Sequence, residues 1–244
     1  MDIIKKPNIS AGTWEIPEDL RLQLLALLST DPTHPAIMTY EEFLDWADED
    51  TLAEWVEGRV VMASPASKKH QDLVRFLSDV LAAYAETHEL GSILIAPFQM
   101  RLATSGREPD VIFVASDHRD RVLATRISGA ADLVVEIVSP ESRSRDRGEK
   151  FYEYQAGGVP EYWIIDPDEH RAEFYQLDEN GLYQIMLPDA DSIYRSRVMD
   201  GLWIRTLWLW QDQLPRINQV MLTIDPAAYS ARLIADLTEN GLLP

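Results

Sequence analysis

One run of residues constrains the fold of this chain more than any other feature. Leu133–Ser139 is apolar almost throughout, as expected for a strand that is buried on both faces of a sheet. Glu136 interrupts the run, and a buried ionised carboxylate costs several kcal/mol unless it is paired or bound to a metal. The run therefore predicts a central strand with a functional carboxylate. The alternative is an edge strand on which Glu136 faces water.

The composition excludes several classes of protein. The chain has 244 residues and no cysteine, which excludes disulfides, thiolate metal sites and a cysteine nucleophile. No apolar run approaches the ~20 residues of a membrane span, and residues 1–6 lack a signal-peptide pattern, so we expect a cytoplasmic protein without a membrane partner. The net charge of −19 argues against a non-specific nucleic-acid binder, although residues 101–150 balance nine basic against nine acidic side chains.

Hydrophobic periodicity and turn residues predict an alternation of helices and strands. Thr39 and Glu42 match a capping box at the start of a short helix, and Glu57-Gly58 marks a hairpin turn. The predicted helices cover residues 20–27, 67–89, 118–127, 145–155 and 226–239. The predicted strands cover 93–102, 111–114, 133–139, 161–165, 172–176, 182–186 and 202–209, with a turn at 104–106. This order predicts an α/β fold, a mixed β-sheet flanked by helices.

Two carboxylates are the main candidates for a metal site. Asp110 opens the strand that follows Pro109, and Glu136 lies within the central strand. Carboxylates on neighbouring strands form a hard-oxygen site that suits Mg²⁺, which commonly keeps several waters and uses one or two protein carboxylates. The alternative for Asp110 is a simple Pro-Asp turn residue.

Three further residues are candidates for the same site. Lys150 lies on the helix after the Glu136 strand and would direct a cation at the end of the sheet, although a surface ion pair with Asp146 explains it equally well. Glu54 lies in the predicted hairpin, and His70 lies in the first turn of the long helix. A lone histidine on an apolar helix face is more often a core residue than a ligand.

The same residues, in this order, resemble the Uma-type family of restriction-endonuclease-like proteins. The matching segments are Pro109-Asp110, Val135–Pro140, Asp146 with Lys150, and Tyr154–Trp163. Upstream, Glu54–Gly58 and the segment from Ser64-Pro65 to His70 are similar to the family's opening hairpin and helix. The resemblance covers roughly residues 36–210, which we take as the nuclease-like domain. Residues 1–35 would be an N-terminal extension, and residues 211–244 a C-terminal helical extension packed on the same domain.

The resemblance implies a PD-(D/E)xK nuclease fold and a magnesium-dependent phosphodiesterase site. Asp110, Glu136 and the carbonyl of Ile137 would hold Mg²⁺, for which Mn²⁺ would substitute. The superfamily pattern places a lysine where this chain has Val138, and the resemblance implies that Lys150 has taken over that role. Glu54 and His70 would be accessory catalytic residues. Arg143, Arg145 and Arg147 would contact DNA phosphates, or form an ordinary solvated loop.

Two classes of function follow from this sequence, and within the first the sequence does not separate DNA cleavage from hydrolysis of another phosphodiester, such as RNA or a nucleotide. The first is a DNA endonuclease, expected to be a homodimer because two sites related by a two-fold axis cut both strands most simply. The candidate interface is the Leu202–Leu209 segment with Trp203 and Trp208, although burial in the core explains it as well. The second is a binding or assembly module that keeps the nuclease fold without cutting DNA, which the acidic surface favours.

Overall fold

A computed structural model describes residues 37–48, 51–62 and 65–242 of the chain. The helices are α1 (Tyr40–Trp46), α2 (Lys68–Thr87), α3 (Arg143–Asp146), α4 (Glu149–Gly157), α5 (Ile217–Ile224) and α6 (Pro226–Glu239). Two 3₁₀ helices cover Ser116–Arg121 and Thr206–Trp210. The strands are β1 (Ala53–Val56), β2 (Arg59–Met62), β3 (Gly91–Ile95), β4 (Gln99–Arg101), β5 (Ser105–Arg107), β6 (Val111–Ala115), β7 (Arg126–Ser128), β8 (Leu133–Ile137), β9 (Glu161–Asp166), β10 (Arg171–Leu177), β11 (Tyr183–Met186), β12 (Ile193–Arg195) and β13 (Trp203–Arg205). The predicted helix over 20–27 and the predicted N-terminal extension lie outside the described residues.

A six-stranded mixed sheet forms the centre of the fold. Its strand order is β11-β10-β9-β8-β6-β3, in which β8 runs parallel to β9 and antiparallel to β6. All residues of β8 are buried, because it is an interior strand with neighbours on both sides. The predicted central strand is therefore confirmed, and the alternative of a water-facing edge strand is wrong.

Different layers cover the two faces of this sheet. Helix α2 packs on one face, where Leu73 and Leu77 join a core that includes Val111 and Val135. The alternate residues of the same strands, such as Val134, point to the other face and join a second core. That second core includes Tyr154 of α4 and Met100 of a smaller five-stranded sheet, ordered β2-β1-β5-β4-β7. The predicted mixed sheet flanked by helices is confirmed, and a second sheet accompanies it.

The predicted strand over 93–102 is wrong as a single element. The chain leaves the six-stranded sheet after Ile95 and enters the five-stranded sheet at Gln99, because Pro97 has no N–H with which to continue the ladder. The predicted turn over 104–106 is also wrong in part. Ser105 begins β5, which pairs with both β1 and β4. These two changes of path create the second sheet.

Three other predicted elements differ from the structure. The helix predicted over 145–155 is two helices separated at Gly148. Any other residue at this position would place its Cβ only 2.6 Å from the Ser144 carbonyl oxygen. The strand predicted over 202–209 ends at Arg205, because its partner β12 starts at Ile193, which pairs with that residue. The helix predicted over 118–127 is a 3₁₀ helix that ends at Arg121. Helix α5 and strand β12 are additional elements.

The segment Leu202–Leu209 contributes to the core of the molecule. Leu202, Trp208 and Leu209 are buried in the cluster beneath α2, so burial accounts for the apolar segment that was also a candidate dimer interface. Helix α5 adds Val220 and Met221 to the same cluster. None of the helices among the described residues combines the length and apolar character needed to cross a membrane.

Candidate active site

Strand register brings the two predicted carboxylates together. Val111 pairs with Val135 in the antiparallel β6–β8 ladder, so the preceding Asp110 lies opposite Glu136 at the end of the strands. Asp110 is fixed through one oxygen, Oδ2, which accepts a hydrogen bond from the Ile137 amide at 2.7 Å and lies 3.3 Å from His70 Nε2. Like charges directly opposite each other destabilise a sheet, and a nearby cation reduces this repulsion.

Lys150 supplies that cation from α4. Its Nζ lies 2.9 Å from Glu136 Oε1, 3.5 Å from Asp146 Oδ1 and 3.6 Å from Glu54 Oε1. Helix α4 covers the face of the sheet to which Glu136 points, which is why a residue on this helix can reach the carboxylate. The alternative, an ion pair between Lys150 and Asp146, is present, but its expected place on the surface is wrong, because both side chains are buried.

Burial and charge act against each other in this cluster. Burial raises the pKa of Glu136, and Lys150 counteracts this only in part. Burial also opposes the charged form of Lys150, but the carboxylates of Glu136, Glu54 and Asp146 outweigh it and raise its pKa. The site thus holds a lysine cation among several carboxylates, an arrangement that is stable only while its members stay together.

Tyr154 fixes the orientation of Glu136. Its hydroxyl donates a 2.7 Å hydrogen bond to Glu136 Oε1, the oxygen that also faces Lys150. The other oxygen, Oε2, receives no hydrogen bond from the described part of the chain. The sequence placed Tyr154 on the same helix face as Lys150, but gave no signal of this contact, which depends on how α4 docks.

Arg107 anchors the opposite side of the cluster. It is completely buried and lies 3.0 Å from Glu54 Oε2, while Glu153 of α4 accepts two hydrogen bonds from it at 2.6 and 2.8 Å. The Glu108 amide also donates to Glu54 at 3.1 Å. Burial opposes ionisation of Glu54, but the charges of Lys150 and Arg107 outweigh it and lower its pKa. Sequence reasoning missed Arg107, because nothing in the pattern of β5 marks it as buried.

A cavity of about 510 Å³ opens onto this cluster. The predicted residues that line it are Glu54, His70, Asp110, Glu136, Ile137, Arg145 and Lys150. Arg143 and Arg147 do not line it. Instead Arg147 pairs with Glu173 at 2.6 Å, and both arginines approach Asp166 on the far side of α3. Arg145 differs from Arg143 and Arg147, because no carboxylate of the described residues lies within 4.0 Å of its guanidinium.

The carboxylates of the cavity suit a hard divalent cation. Among residues 37–48, 51–62 and 65–242, no three histidine or acidic side chains form a closed metal cluster. Mg²⁺ does not need one, since it is commonly held by one or two carboxylates and several waters. Asp110 and Glu136 each commit one oxygen to protein contacts, which leaves Asp110 Oδ1 and Glu136 Oε2 without a described hydrogen-bond donor. The donor set therefore fits Mg²⁺ or Mn²⁺.

Val138 occupies the position at which the superfamily pattern has a lysine. The residue is almost completely buried in the core between the sheet and α4, next to Val134 and Tyr162. A lysine there would place its charge in an apolar core. In this chain the strand ends at Ile137, and the cation approaches from the helix instead.

A mixed sheet with two carboxylates at adjoining strand ends, and a lysine from the following helix, defines a protein of the restriction-endonuclease-like class. The comparisons with known proteins agree. A sequence model of the Uma2 family, described as "Putative restriction endonuclease", matches residues 40–207. This match spans well over half of the chain, and the protein belongs to that family. The resemblance noted in the sequence is confirmed.

A solved structure shows the same fold. The chain is similar to a crystal structure described as a putative nuclease belonging to DUF820 from Anabaena variabilis. The TM-score is 0.62 at 17% sequence identity, and the match covers 71% of this chain and 97% of the other. At this identity the likeness demonstrates the fold and not the activity. No curated protein matches the chain in sequence.

Proposed function

We propose that the protein is a magnesium-dependent DNA endonuclease that hydrolyses phosphodiester bonds. The observation that carries the proposal is the convergence of Asp110, Glu136 and Lys150 on one cavity. Membership of a family described as restriction endonucleases supports it. The second candidate, a nuclease-fold module that binds without cutting, draws on the net charge of −19.

Asp110, Glu136 and the carbonyl of Ile137 would hold the metal ion. When bound, Mg²⁺ supplies Lewis-acid polarisation of the scissile phosphate and lowers the pKa of a bound water. The rest of the chemistry depends on groups of the chain itself. His70 and the Ile137 amide hold Asp110 in position, and Tyr154 does the same for Glu136.

Lys150 would stabilise the negative charge that develops on the phosphorane. Its position between Glu136 and Glu54 restricts its movement, so its donors are already oriented before substrate binds. Arg145 would contact a neighbouring phosphate, because it lines the cavity and no described carboxylate neutralises it. Arg143 and Arg147 remain candidate phosphate contacts, but a substrate would have to compete with Asp166 for them.

If the protein cuts both strands of a duplex, we propose that it acts as a homodimer, because two sites related by a two-fold axis cut both strands most simply. Light scattering of the purified protein measures the oligomeric state directly. A monomer at working concentration, together with plasmid products that stop at the nicked form, would refute the dimer and leave the single-strand chemistry intact.

A plasmid assay tests the proposed function. Supercoiled DNA is incubated with Mg²⁺ or Mn²⁺ and wild-type protein, or with Asp110→Asn, Glu136→Gln or Lys150→Met. We expect metal-dependent nicking that each variant reduces at least a hundredfold, a loss of about 2.7 kcal/mol of transition-state stabilisation. Arg195→Met is the control, because Arg195 is 63% exposed and, within the part of the chain that the structure describes, its ion pair is with Asp189.

The outcomes separate the candidates. Cutting that survives Lys150→Met would refute the role of the lysine and keep the nuclease. No cutting by the wild type, together with no rise in melting temperature on adding either metal, would favour the binding module.

A further inference from the structure

The cavity has two chemically different sides. The carboxylates and Lys150 form one side, whereas the other consists of apolar side chains from the β1–β2 hairpin and the chain around Pro97. Leu52 and Met62 are 53% and 50% exposed. We call Leu52, Met62, Pro65 and Pro97 the apolar wall. Large exposed apolar side chains at the mouth of a polar cavity indicate a binding surface.

The reactive groups lie at the bottom of this cavity. The exposed fractions of the side chains are 4% for Glu136, 7% for Lys150 and 17% for Asp110. A phosphate must therefore move below the rim of the apolar wall to reach them. In an intact duplex the phosphates lie on the outside of a stiff helix, whose stacking and base pairing resist the displacement of a single phosphate into a recess. Enzymes that act on a base take the nucleotide out of the stack, and DNA-bending proteins insert apolar side chains between base steps, so protein binding energy can offset the cost of such a distortion.

The charge around the cavity leads to the same conclusion. Lys150 and Arg145 are the described basic side chains that line it besides His70, and Lys150 is surrounded by carboxylates. The acidic side chains that line it are Glu54, Glu108, Asp110 and Glu136. Neutralisation of phosphates is the main source of affinity for duplex DNA, and this site offers little of it. Contact with bases therefore has to supply the rest of the binding free energy.

We propose that the apolar wall holds an unpaired nucleobase next to the phosphate that is attacked, so that the substrate is DNA with an unpaired nucleotide at the cleavage position. The inference rests on the proposed nuclease function. No phenylalanine, tyrosine or tryptophan is among the described residues that line the cavity, so the base packs against the aliphatic side chains of the apolar wall rather than stacking on a large ring. Such packing recognises no hydrogen-bonding edge, and base preference is weak.

Binding without metal tests the wall independently of cleavage. Fluorescence anisotropy is measured for labelled oligonucleotides of equal length: a single strand, its matched duplex, and the duplex with one unpaired nucleotide. We expect the single strand and the interrupted duplex to bind about tenfold or more tightly than the matched duplex, because the latter must first unpair. A 2-aminopurine at the unpaired position should brighten on binding, since it leaves its stacked neighbours.

Variants of the wall provide the second measurement. Met62→Ala and Leu52→Ala should each weaken binding of the single strand about five- to tenfold through lost apolar contact. Both side chains are half exposed, so their truncation leaves the core intact, and melting curves verify this. Ile185→Ala is the matched control, because Ile185 is 53% exposed on β11 and does not line the cavity. It should leave binding unchanged.

The results distinguish the two proposals. Equal affinity for the single strand and the matched duplex would refute the proposal that the apolar wall binds an unpaired base, even if the protein cuts DNA. Met62→Ala that binds the single strand as tightly as the wild type would refute it as well. If neither the plasmid nor the duplex with one unpaired nucleotide is cut in the presence of Mg²⁺ or Mn²⁺, while the preference for unpaired DNA and the Met62 effect are both present, the nuclease is refuted and base binding by the apolar wall is retained. Absence of any DNA binding would also refute the proposed base binding by the apolar wall.

Discussion

Replacement of Arg107 by methionine tests how the active site is held together. Methionine keeps much of the side-chain volume and removes the guanidinium. Arg107 is completely buried, and the side chains of its partners Glu54 and Glu153 are only 12% and 18% exposed. The substitution therefore leaves two largely buried carboxylates without their shared cation.

The expected cost is about 3–5 kcal/mol, the range for removing one partner of a buried ion pair. Two carboxylates lose Arg107, but the cost is counted for one of them. Glu54 keeps two other partners, Lys150 at 3.6 Å and the Glu108 amide at 3.1 Å. Such a loss is a large part of the ~5–15 kcal/mol stability of a typical domain. At about 2–4 °C per kcal/mol it lowers the melting temperature by roughly 6–20 °C.

Urea denaturation followed by tryptophan fluorescence measures the free energy of unfolding. The control is Arg195→Met, which breaks the exposed 2.7 Å pair with Asp189 and should cost less than about 1 kcal/mol. In the double variant Arg107→Met, Glu153→Gln, the cost should fall short of the sum of the single costs by about 0.5–3 kcal/mol. If Arg107→Met costs no more than Arg195→Met, the argument from uncompensated burial is wrong.

Three further predictions follow from the same contacts. Tyr154→Phe removes the 2.7 Å hydrogen bond to Glu136 and should cost about 1–3 kcal/mol in urea denaturation, and a cost near zero would contradict the role given to the hydroxyl. Gly91→Ala should destabilise the protein by at least about 1–3 kcal/mol, because Gly91 has φ +153° and a Cβ would lie 2.1 Å from the Val114 carbonyl oxygen; a melting curve like that of the wild type would refute it. Mg²⁺ at a hundred times its dissociation constant should stabilise the protein by about 2.7 kcal/mol, and Asp110→Asn should abolish the shift. Stabilisation that persists in Asp110→Asn would show that the metal binds elsewhere.

The sequence predicted those parts of the site that depend on local patterns. Glu136 stands out because a charge interrupts an apolar strand, and Asp110 because it opens the adjacent one. Lys150 could be predicted because the helix follows directly after that strand. The capping box at Thr39 and Glu42 is local in the same sense, and it is present in the structure.

Features that depend on contacts between distant segments could not be predicted. Arg107 and Glu54 are 53 residues apart in the chain, and no local pattern shows that a buried arginine joins them. The second sheet depends on where β4 and β5 find partners, which the apolar pattern of residues 93–102 does not reveal. The ion pairs of Arg143 and Arg147 likewise depend on Asp166 in β9.

Helix α4 gives the site a weak point that the sheet does not share. Lys150, Tyr154 and the Glu153 that holds Arg107 all lie on this one short helix, which begins after Gly148 without a side-chain cap. Transient unwinding of α4 would withdraw all three contacts at once while the strands carrying Asp110 and Glu136 stayed paired. The fraction of molecules ready to act is then governed by local opening rather than by global stability. Amide hydrogen exchange in α4 would measure that fraction.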